Sequence, residues 1–274
     1  MKLRNVLEFM GLRYKPRHYG YAADSFTIDE GRNVTFAKWQ HPRLTREHAP
    51  YAFSPDDIAG YAKVIEEGDF CIDIGAHCGD TTLPMGIAAG VSGCVLGLEP
   101  NPYVYHVLEK NARANRHLAN IRTIMAAAGS EQGFLELEYS DAGFCNGGRH
   151  EGISAFRHGH PYKLSAFCID LQQELRDHYD DELKRLKLIK VDAEGYDLYI
   201  LQSLLEIIDE YRPMVKAEVF RKTSMQYRLD LFDLFDSRNY DVYELKAEPL
   251  VCGDKLDRGS VTKSAHFDIL CYPR

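Results

Sequence analysis

Phe70-Cys71-Ile72-Asp73-Ile74-Gly75-Ala76-His77-Cys78-Gly79-Asp80 is an apolar run that breaks into a glycine-bearing turn, with a helical pattern over residues 81–89 behind it. A strand buried on both faces reads as such a run, and the turn that follows it in an open α/β sheet is where ligands bind. The unit recurs downstream. Cys94-Val95-Leu96-Gly97-Leu98 and Ile121-Arg122-Thr123-Ile124-Met125-Ala126 are the second and third runs, separated by a helical stretch at 101–116. Leu186–Val191, after a helical segment around Leu171–Arg185, is the fourth, and Met214–Val219 the fifth. A helix near 226–237 then leads to Tyr240–Leu245 and His266–Cys271, which are joined by turn-rich chain instead of a crossover helix. The alternation predicts a doubly wound α/β fold, a seven-stranded, mostly parallel sheet that ends in an antiparallel strand.

Upstream of this unit the pattern is mixed, and residues 1–60 are expected to form an N-terminal extension or lid, with residues 61–274 as the main domain. Phe26-Thr27-Ile28 and Val34-Thr35-Phe36 flank the turn-prone Asp29-Glu30-Gly31-Arg32-Asn33, which predicts a hairpin. Ser54, Pro55 and Asp56-Asp57 are the start signals of a helix running through Ile65. Asp141–Lys163 carries Gly143, Gly147, Gly148, Gly152 and Gly159 among few aliphatic residues and fits no regular element, so it reads as a functional or mobile loop.

Composition narrows the function classes. The 274 residues carry 33 basic and 41 acidic side chains, a formal charge of −8, which argues against a chain built to neutralise nucleic-acid phosphates. The seven cysteines contain no C-x-x-C pair, so neither a disulfide framework nor a zinc ribbon is indicated, and they read as reduced thiols. Met1–Met10 has charges inside its apolar pattern, unlike a signal peptide, and no stretch approaches the roughly 20 apolar residues of a membrane span. A cytoplasmic protein is expected.

The chemistry concentrates at the strand ends. Gly75 and Gly79 have G-x-x-x-G spacing where a dinucleotide fingerprint needs G-x-G-x-x-G, which favours S-adenosylmethionine over NAD. Glu99 closes the second strand, where a carboxylate accepts hydrogen bonds from a ribose diol; this supports a nucleoside without choosing the cofactor. Asp192-Ala193-Glu194-Gly195 closes the fourth strand with two carboxylates placed to meet an acceptor, although an isolated D-x-E-G also suits a turn that caps the helix beginning near Asp197.

Taken in order, the turn at Asp73–Asp80, Leu98-Glu99-Pro100, Cys168-Ile169-Asp170-Leu171, Ile189-Lys190-Val191-Asp192-Ala193-Glu194-Gly195-Tyr196-Asp197 and Val215-Lys216-Ala217-Glu218 resemble the FkbM-type methyltransferases over about residues 60–272. The resemblance implies a seven-stranded class I methyltransferase domain, S-adenosylmethionine as cofactor, and O-methylation of natural products or sugars. Residue by residue, it implies a cofactor set of Asp73, Gly75, Ala76, His77, Gly79, Asp80, Thr81, Glu99, Pro100, Asn101, Ala127 and Asp192. The family turn usually has Asn where this chain has His77. Asn101-Pro102-Tyr103 resembles the N-P-P-Y motif of amino-group methyltransferases, but it follows the second strand, whereas that motif follows the fourth.

These readings converge on methyl transfer to a hydroxyl of a small molecule or glycan. Asp192 is the first candidate base, with Glu194 as its orienting partner or alternative, and His150, His158 and His160 form a third source. Asp192, Glu194 and Glu218 together also suit magnesium, but no metal is expected. Tyr14, Tyr19, Tyr21, Trp39 and Tyr51 are candidates to stack on an acceptor ring. A non-catalytic S-adenosylmethionine-binding module, an N- or protein methyltransferase, and a nicotinamide oxidoreductase are the competing readings; the glycine spacing disfavours the last.

Overall fold

The computed structural model describes residues 16–29, 31–42, 54–139, 143–145, 147–148, 162–221, 223–263 and 266–274. His150, His158, His160, Tyr14, Tyr51 and most of Asp141–Lys163 lie outside them.

An N-terminal hairpin pairs β1 (Tyr21–Asp29) with β2 (Arg32–Trp39), longer than the pattern suggests. After α1 (Pro55–Tyr61) come β3 (Phe70–Ile74), α2 (Thr82–Ala89), β4 (Cys94–Leu98), α3 (Pro102–Ala114) and β5 (Ile121–Ile124). A separate four-stranded sheet follows, from β6 (Ala127–Gly129), β7 (Gly133–Tyr139), β8 (Gly147–Gly148) and β9 (Tyr162–Asp170). Helices α4 (Leu171–His178) and α5 (Asp180–Leu183) lead to β10 (Leu186–Val191), and α6 (Asp197–Ser203) and α7 (Leu205–Tyr211) to β11 (Met214–Val219). Helix α8 (Met225–Asp236) precedes β12 (Tyr240–Ala247), β13 (Val251–Lys255) and β14 (Phe267–Pro273).

The main sheet has the order β13-β12-β14-β11-β10-β3-β4-β5, with β5, β4, β3, β10 and β11 parallel and β14 antiparallel to both β11 and β12. All seven expected strands are present, and among the described residues the sheet has eight. The extra one, β13, is an exposed edge strand whose Gly253, Asp254 and Lys255 give it no apolar run. The antiparallel strand is wedged between β11 and β12, not at the edge. The third run stops at Ile124, because Ala127 already belongs to the small sheet. The helix expected around 171–185 is broken at Tyr179, a buried ring that stacks on Phe70 at 5.7 Å.

Both faces of the central strands are covered, which is why their sequences are continuously apolar. Ile72, Leu96, Ile189 and Val215 face one core with α4, α6, α7 and α8; Cys71, Val95, Leu188, Met214 and Leu270 face the other with Tyr61 and Ile65 from the α1 side and Met85 and Ala89 from α2. On this second face the apolar rows give way, toward the carboxyl edge, to charge. Asp73, Lys190 and Lys216 stand in register across β3, β10 and β11, and one row further out Glu218 faces Asp268. The sheet edge is therefore an ionic shelf.

The hairpin is fastened to this frame by two side-chain amides four residues apart, Asn111 on α3 and Asn115 at its C-cap. Asn111 bonds both the amide (2.6 Å) and the carbonyl (3.0 Å) of Ala37, and Asn115 does the same for Thr35 (2.9 and 2.7 Å). Val34, Phe36 and Trp39 then pack with Ile58, Cys78, Leu83 and Val104. All seven cysteines are free thiols, six of them buried. Among the described residues no helix is long and apolar enough to cross a membrane.

Candidate active site

Gly75 opens the turn after β3 with a φ of +79°, a conformation that glycine alone adopts without strain. Its amide donates to the Leu98 carbonyl (3.0 Å), and a Cβ placed on it would stand 2.0 Å from the Asp192 carbonyl oxygen. The space its missing side chain leaves is filled by backbone from the end of β10. The two chemical turns are thus one packed unit, closed further by the Asp192 amide donating to the Ile74 carbonyl (3.0 Å).

Beneath the turn lies a buried ion pair. Asp73 is fully buried and accepts from Thr81 Oγ1 (2.8 Å), Thr82 Oγ1 (2.6 Å) and Lys190 Nζ (2.9 Å). Burial opposes the charge on Lys190, but Asp73 and Asp192, the latter 3.8 Å away, outweigh it and hold the ammonium above its ordinary pKa. Glu99 is also buried; its Oε2 accepts from the His77 amide (2.9 Å) and its Oε1 from the Asn101 amide (2.8 Å). Burial pushes its carboxyl up to about 7 against those two donors. Desolvation likewise lowers the His77 imidazole to about 4 and raises Asp80 to about 6. The His77 ring lies edge-on to Trp39 at 5.6 Å.

At the end of β10 the Asp192 carboxylate is half exposed, and Glu194 turns in a left-handed conformation (φ +52°). Asp197 is buried behind them, accepting from the amides of Glu218 (3.1 Å) and Ala193 (3.3 Å), and its burial, with Asp192 adding, raises it to about 7. Glu218 is buried beside this group. Burial and then Asp192, Asp197 and Glu194 push its carboxyl up to about 10; Oε1 lies 3.6 Å from His266 Nδ1, and Oε2 has no hydrogen-bond partner among the described residues.

An elongated cleft runs over these groups. Its polar end is lined by His77, Asp80, Thr81, Asn101, Cys145 and Lys190, and its apolar end by Ile74, Leu98, Pro100, Ala126, Ala127, Ala128, Leu135, Leu137, Tyr196 and Ile200. Gly75, Glu99, Tyr139, Asp192 and Glu194 line both ends, so the two adjoin.

The family model described as "Methyltransferase FkbM domain" matches residues 73–242, more than half of the chain. The chain belongs to the FkbM methyltransferase family. It is similar to the Methyltransferase sdnD of Sordaria araneosa, 25% identical over 200 residues that cover 65% of this chain and 76% of that protein. Among solved structures it resembles the Methyltransferase FkbM from Methylobacillus flagellatus KT, at 16% identity and a TM-score of 0.45; the match covers 77% of this chain and 48% of that one, so it spans about half of that protein. It also resembles M. jannaschii TYW2 in complex with AdoMet, at 14% identity and a TM-score of 0.40, covering 94% of this chain and 86% of that one.

In this methyltransferase, ten of the candidate residues line the cleft: Gly75, His77, Asp80, Thr81, Glu99, Pro100, Asn101, Ala127, Asp192 and Glu194. Asp73, Ala76 and Gly79 do not. Asp73 is the counter-ion of Lys190, Ala76 is buried, and Gly79 packs on Leu108 of α3. Asn101 caps α3 through the Tyr103 amide (2.9 Å) and holds the Phe144 carbonyl (2.7 Å), so Asn101-Pro102-Tyr103 is a helix start. Trp39 is buried core and offers no open face for stacking. Sequence reasoning missed Lys190, Tyr139, Leu135 and Leu137. A lysine inside an otherwise apolar strand is the signal that was available for Lys190, and the alternating Phe134-Leu135-Glu136-Leu137-Glu138-Tyr139 for β7.

Proposed function

We propose that the cleft binds S-adenosylmethionine and that the protein methylates a hydroxyl oxygen of a sugar or other secondary metabolite, a small-molecule or glycan acceptor. The observation that carries this reading is that an apolar recess and a polar hollow adjoin and share Glu99 in their walls. An adenine suits the recess walled by Leu98, Pro100, Ala126–Ala128 and Leu137. A ribose diol suits Glu99, whose oxygens each have capacity beyond the one amide they accept from. The residues present fit the group.

S-adenosylmethionine, when bound, supplies an electrophilic methyl on its sulfonium. The protein's part is alignment, since in-line displacement depends chiefly on the positions of the reacting atoms. Asp192, at the lip shared by both ends of the cleft, takes the acceptor's hydroxyl proton onto its carboxylate, and Glu194 orients it or replaces it in that role. Lys190 fixes the Asp192 carboxylate from below while Asp73 keeps that lysine charged. An alcohol is a poor nucleophile while protonated, and a carboxylate at this strand end is a base that could take its proton.

Calorimetric titration with S-adenosylmethionine and with NAD tests the cofactor: saturable binding of the first, weakened by Glu99→Ala, is expected. Binding of NAD instead would overturn the reading. Asp192→Asn is expected to leave S-adenosylmethionine affinity within a few-fold of the parent and to lower turnover of the acceptor about 10²–10⁴-fold; unchanged turnover would remove Asp192 as the base.

A further inference from the structure

The turn after β3 gathers a second kind of chemistry beside the donor's. His77, Cys78 and Asp80 each bring one ligating atom, an imidazole nitrogen, a thiol sulfur and a carboxylate oxygen, to within 4.8 Å of one another. Among the described residues this is the one such group of three or more His, Cys, Asp or Glu side chains. Cys78 Sγ lies 3.6 Å from Asp80 Oδ1. Zinc–sulfur and zinc–carboxylate bonds of about 2.3 and 2.0 Å, set at a tetrahedral angle, put the two ligand atoms about 3.5 Å apart. The observed separation is that of a thiol-to-carboxylate hydrogen bond, and it also suits two ligands on one ion once the thiol proton has left.

The group is also held in place from outside. Glu99 fixes the His77 amide, Asn111 Nδ2 fixes the Cys78 carbonyl at 2.7 Å, and the left-handed φ of His77 (47°) and of Gly79 (90°) folds the turn so that three nearby side chains converge. Nitrogen, sulfur and oxygen donors in one set suit zinc, whereas magnesium and calcium take oxygen ligands. His77 and Asp80 line the polar end of the cleft and Cys78 is fully buried, so an ion held by the three would border the cleft, where a fourth ligand could reach it. Three protein ligands and one open position is a familiar zinc arrangement.

We propose that His77, Cys78 and Asp80 form a zinc site that closes the polar end of the cleft, so that zinc and the methyl donor compete for the protein. The competition rests on the donor reading given above; the metal site does not. On binding, the Cys78 thiol gives its proton to solvent and its sulfur pair to the ion, with no change of oxidation state. Zinc then acts as an inhibitor.

The test uses the full-length protein freed of metal. Calorimetry with zinc chloride should show one ion per chain, with affinity that rises with pH because the thiol must lose its proton. Cobalt chloride should give the near-ultraviolet sulfur-to-cobalt charge-transfer band and the intense visible bands of a tetrahedral ion. His77→Asn and Cys78→Ser should each weaken zinc about 10-fold or more, and Cys78→Ser should abolish the charge-transfer band while Cys252→Ser keeps it. Absence of saturable zinc binding, a cobalt complex with no thiolate band, or a site that survives both His77→Asn and Cys78→Ser would each overturn the proposal. The cobalt spectrum of the unsubstituted protein decides the thiolate even if Cys78→Ser fails to fold. Zinc should raise the apparent Kd for S-adenosylmethionine in the parent and not in Cys78→Ser. Zinc binding with no effect on that Kd would overturn the competition, whereas failure of S-adenosylmethionine to bind the metal-free protein would sink the donor reading and leave the zinc titration standing.

Discussion

At the scale of single residues, the site is governed by what each side chain or its absence leaves buried. Gly75→Ala would set a Cβ 2.0 Å from a backbone oxygen that cannot rotate away, at a φ of +79°. We expect a loss of about 3 kcal/mol of stability together with weaker donor binding, because the turns after β3 and β10 must separate. A melting temperature equal to the parent's would show that this packing is not needed. Lys190→Met tests the buried pair. It leaves the buried Asp73 carboxylate without its counter-ion, held by Thr81 and Thr82 alone, and should cost about 3–5 kcal/mol in denaturant unfolding, while Asp73→Asn combined with Lys190→Met should recover part of that. A double variant no better than the single would mean that Asp73 is stabilised by its two threonines instead. Asp197 bears on pH. Its folded pKa of about 7 lies above the ordinary 3.8, so the folded state holds the proton more tightly and stability falls as pH rises between those two values. Asp197→Asn keeps an acceptor for the Glu218 amide and should make the fall of melting temperature over that window shallower, while the raised carboxyls of Asp80, Glu99 and Glu218 keep the rest of the slope; parallel curves for parent and variant would refute the assignment.

At the scale of elements, the hairpin depends on α3 through side chains that imitate a neighbouring strand. A β-strand edge presents alternate amides and carbonyls, and Asn111 and Asn115, one helical turn apart, answer those of Ala37 and Thr35. Asn111→Ala leaves the buried amide and carbonyl of Ala37, and the carbonyl of Cys78, without this partner. The expected cost is about 2 kcal/mol or more, with faster hydrogen exchange at the Ala37 amide, whereas Glu109→Ala, which breaks an exposed ion pair on the same helix, should change stability by under about 0.5 kcal/mol. Equal exchange protection in parent and Asn111→Ala would separate the hairpin from the helix. Such a linkage is hidden from sequence: Asn111 and Asn115 are ordinary helix-surface residues until a strand 74 and 80 positions upstream comes to lie on them. The central strands were legible because burial on both faces writes itself as an unbroken apolar run. β9 and β13 were not, since Tyr162–Asp170 covers one face of a small sheet and Val251–Lys255 is an edge with little to bury.

At the scale of the molecule, the same contrast separates the parts of the site. Gly75, Glu99 and Asp192 were legible because each ends a strand, and the sheet's topology brings those ends to one edge whatever the intervening chain does. The cleft's other wall, Tyr139 with Leu135 and Leu137, comes from a sheet inserted between β5 and β10, and its position follows from tertiary packing alone. The N-terminal residues belong to that packing as well. Val34, Phe36 and Trp39 fill one core with Leu83, Ile87, Val104 and Val107, and Trp39 also abuts His77 in the turn after β3. The full chain should therefore melt in one cooperative transition. A fragment beginning at residue 61 would expose the apolar surface of α2 and α3 and lose the ring that supports His77, so it should bind a hydrophobic dye, melt over a broad range and fail to bind S-adenosylmethionine. A fragment that melts as sharply as the parent and binds the donor with equal affinity would show that the hairpin is an appendage, and its aromatic residues would then be free to serve the acceptor alone.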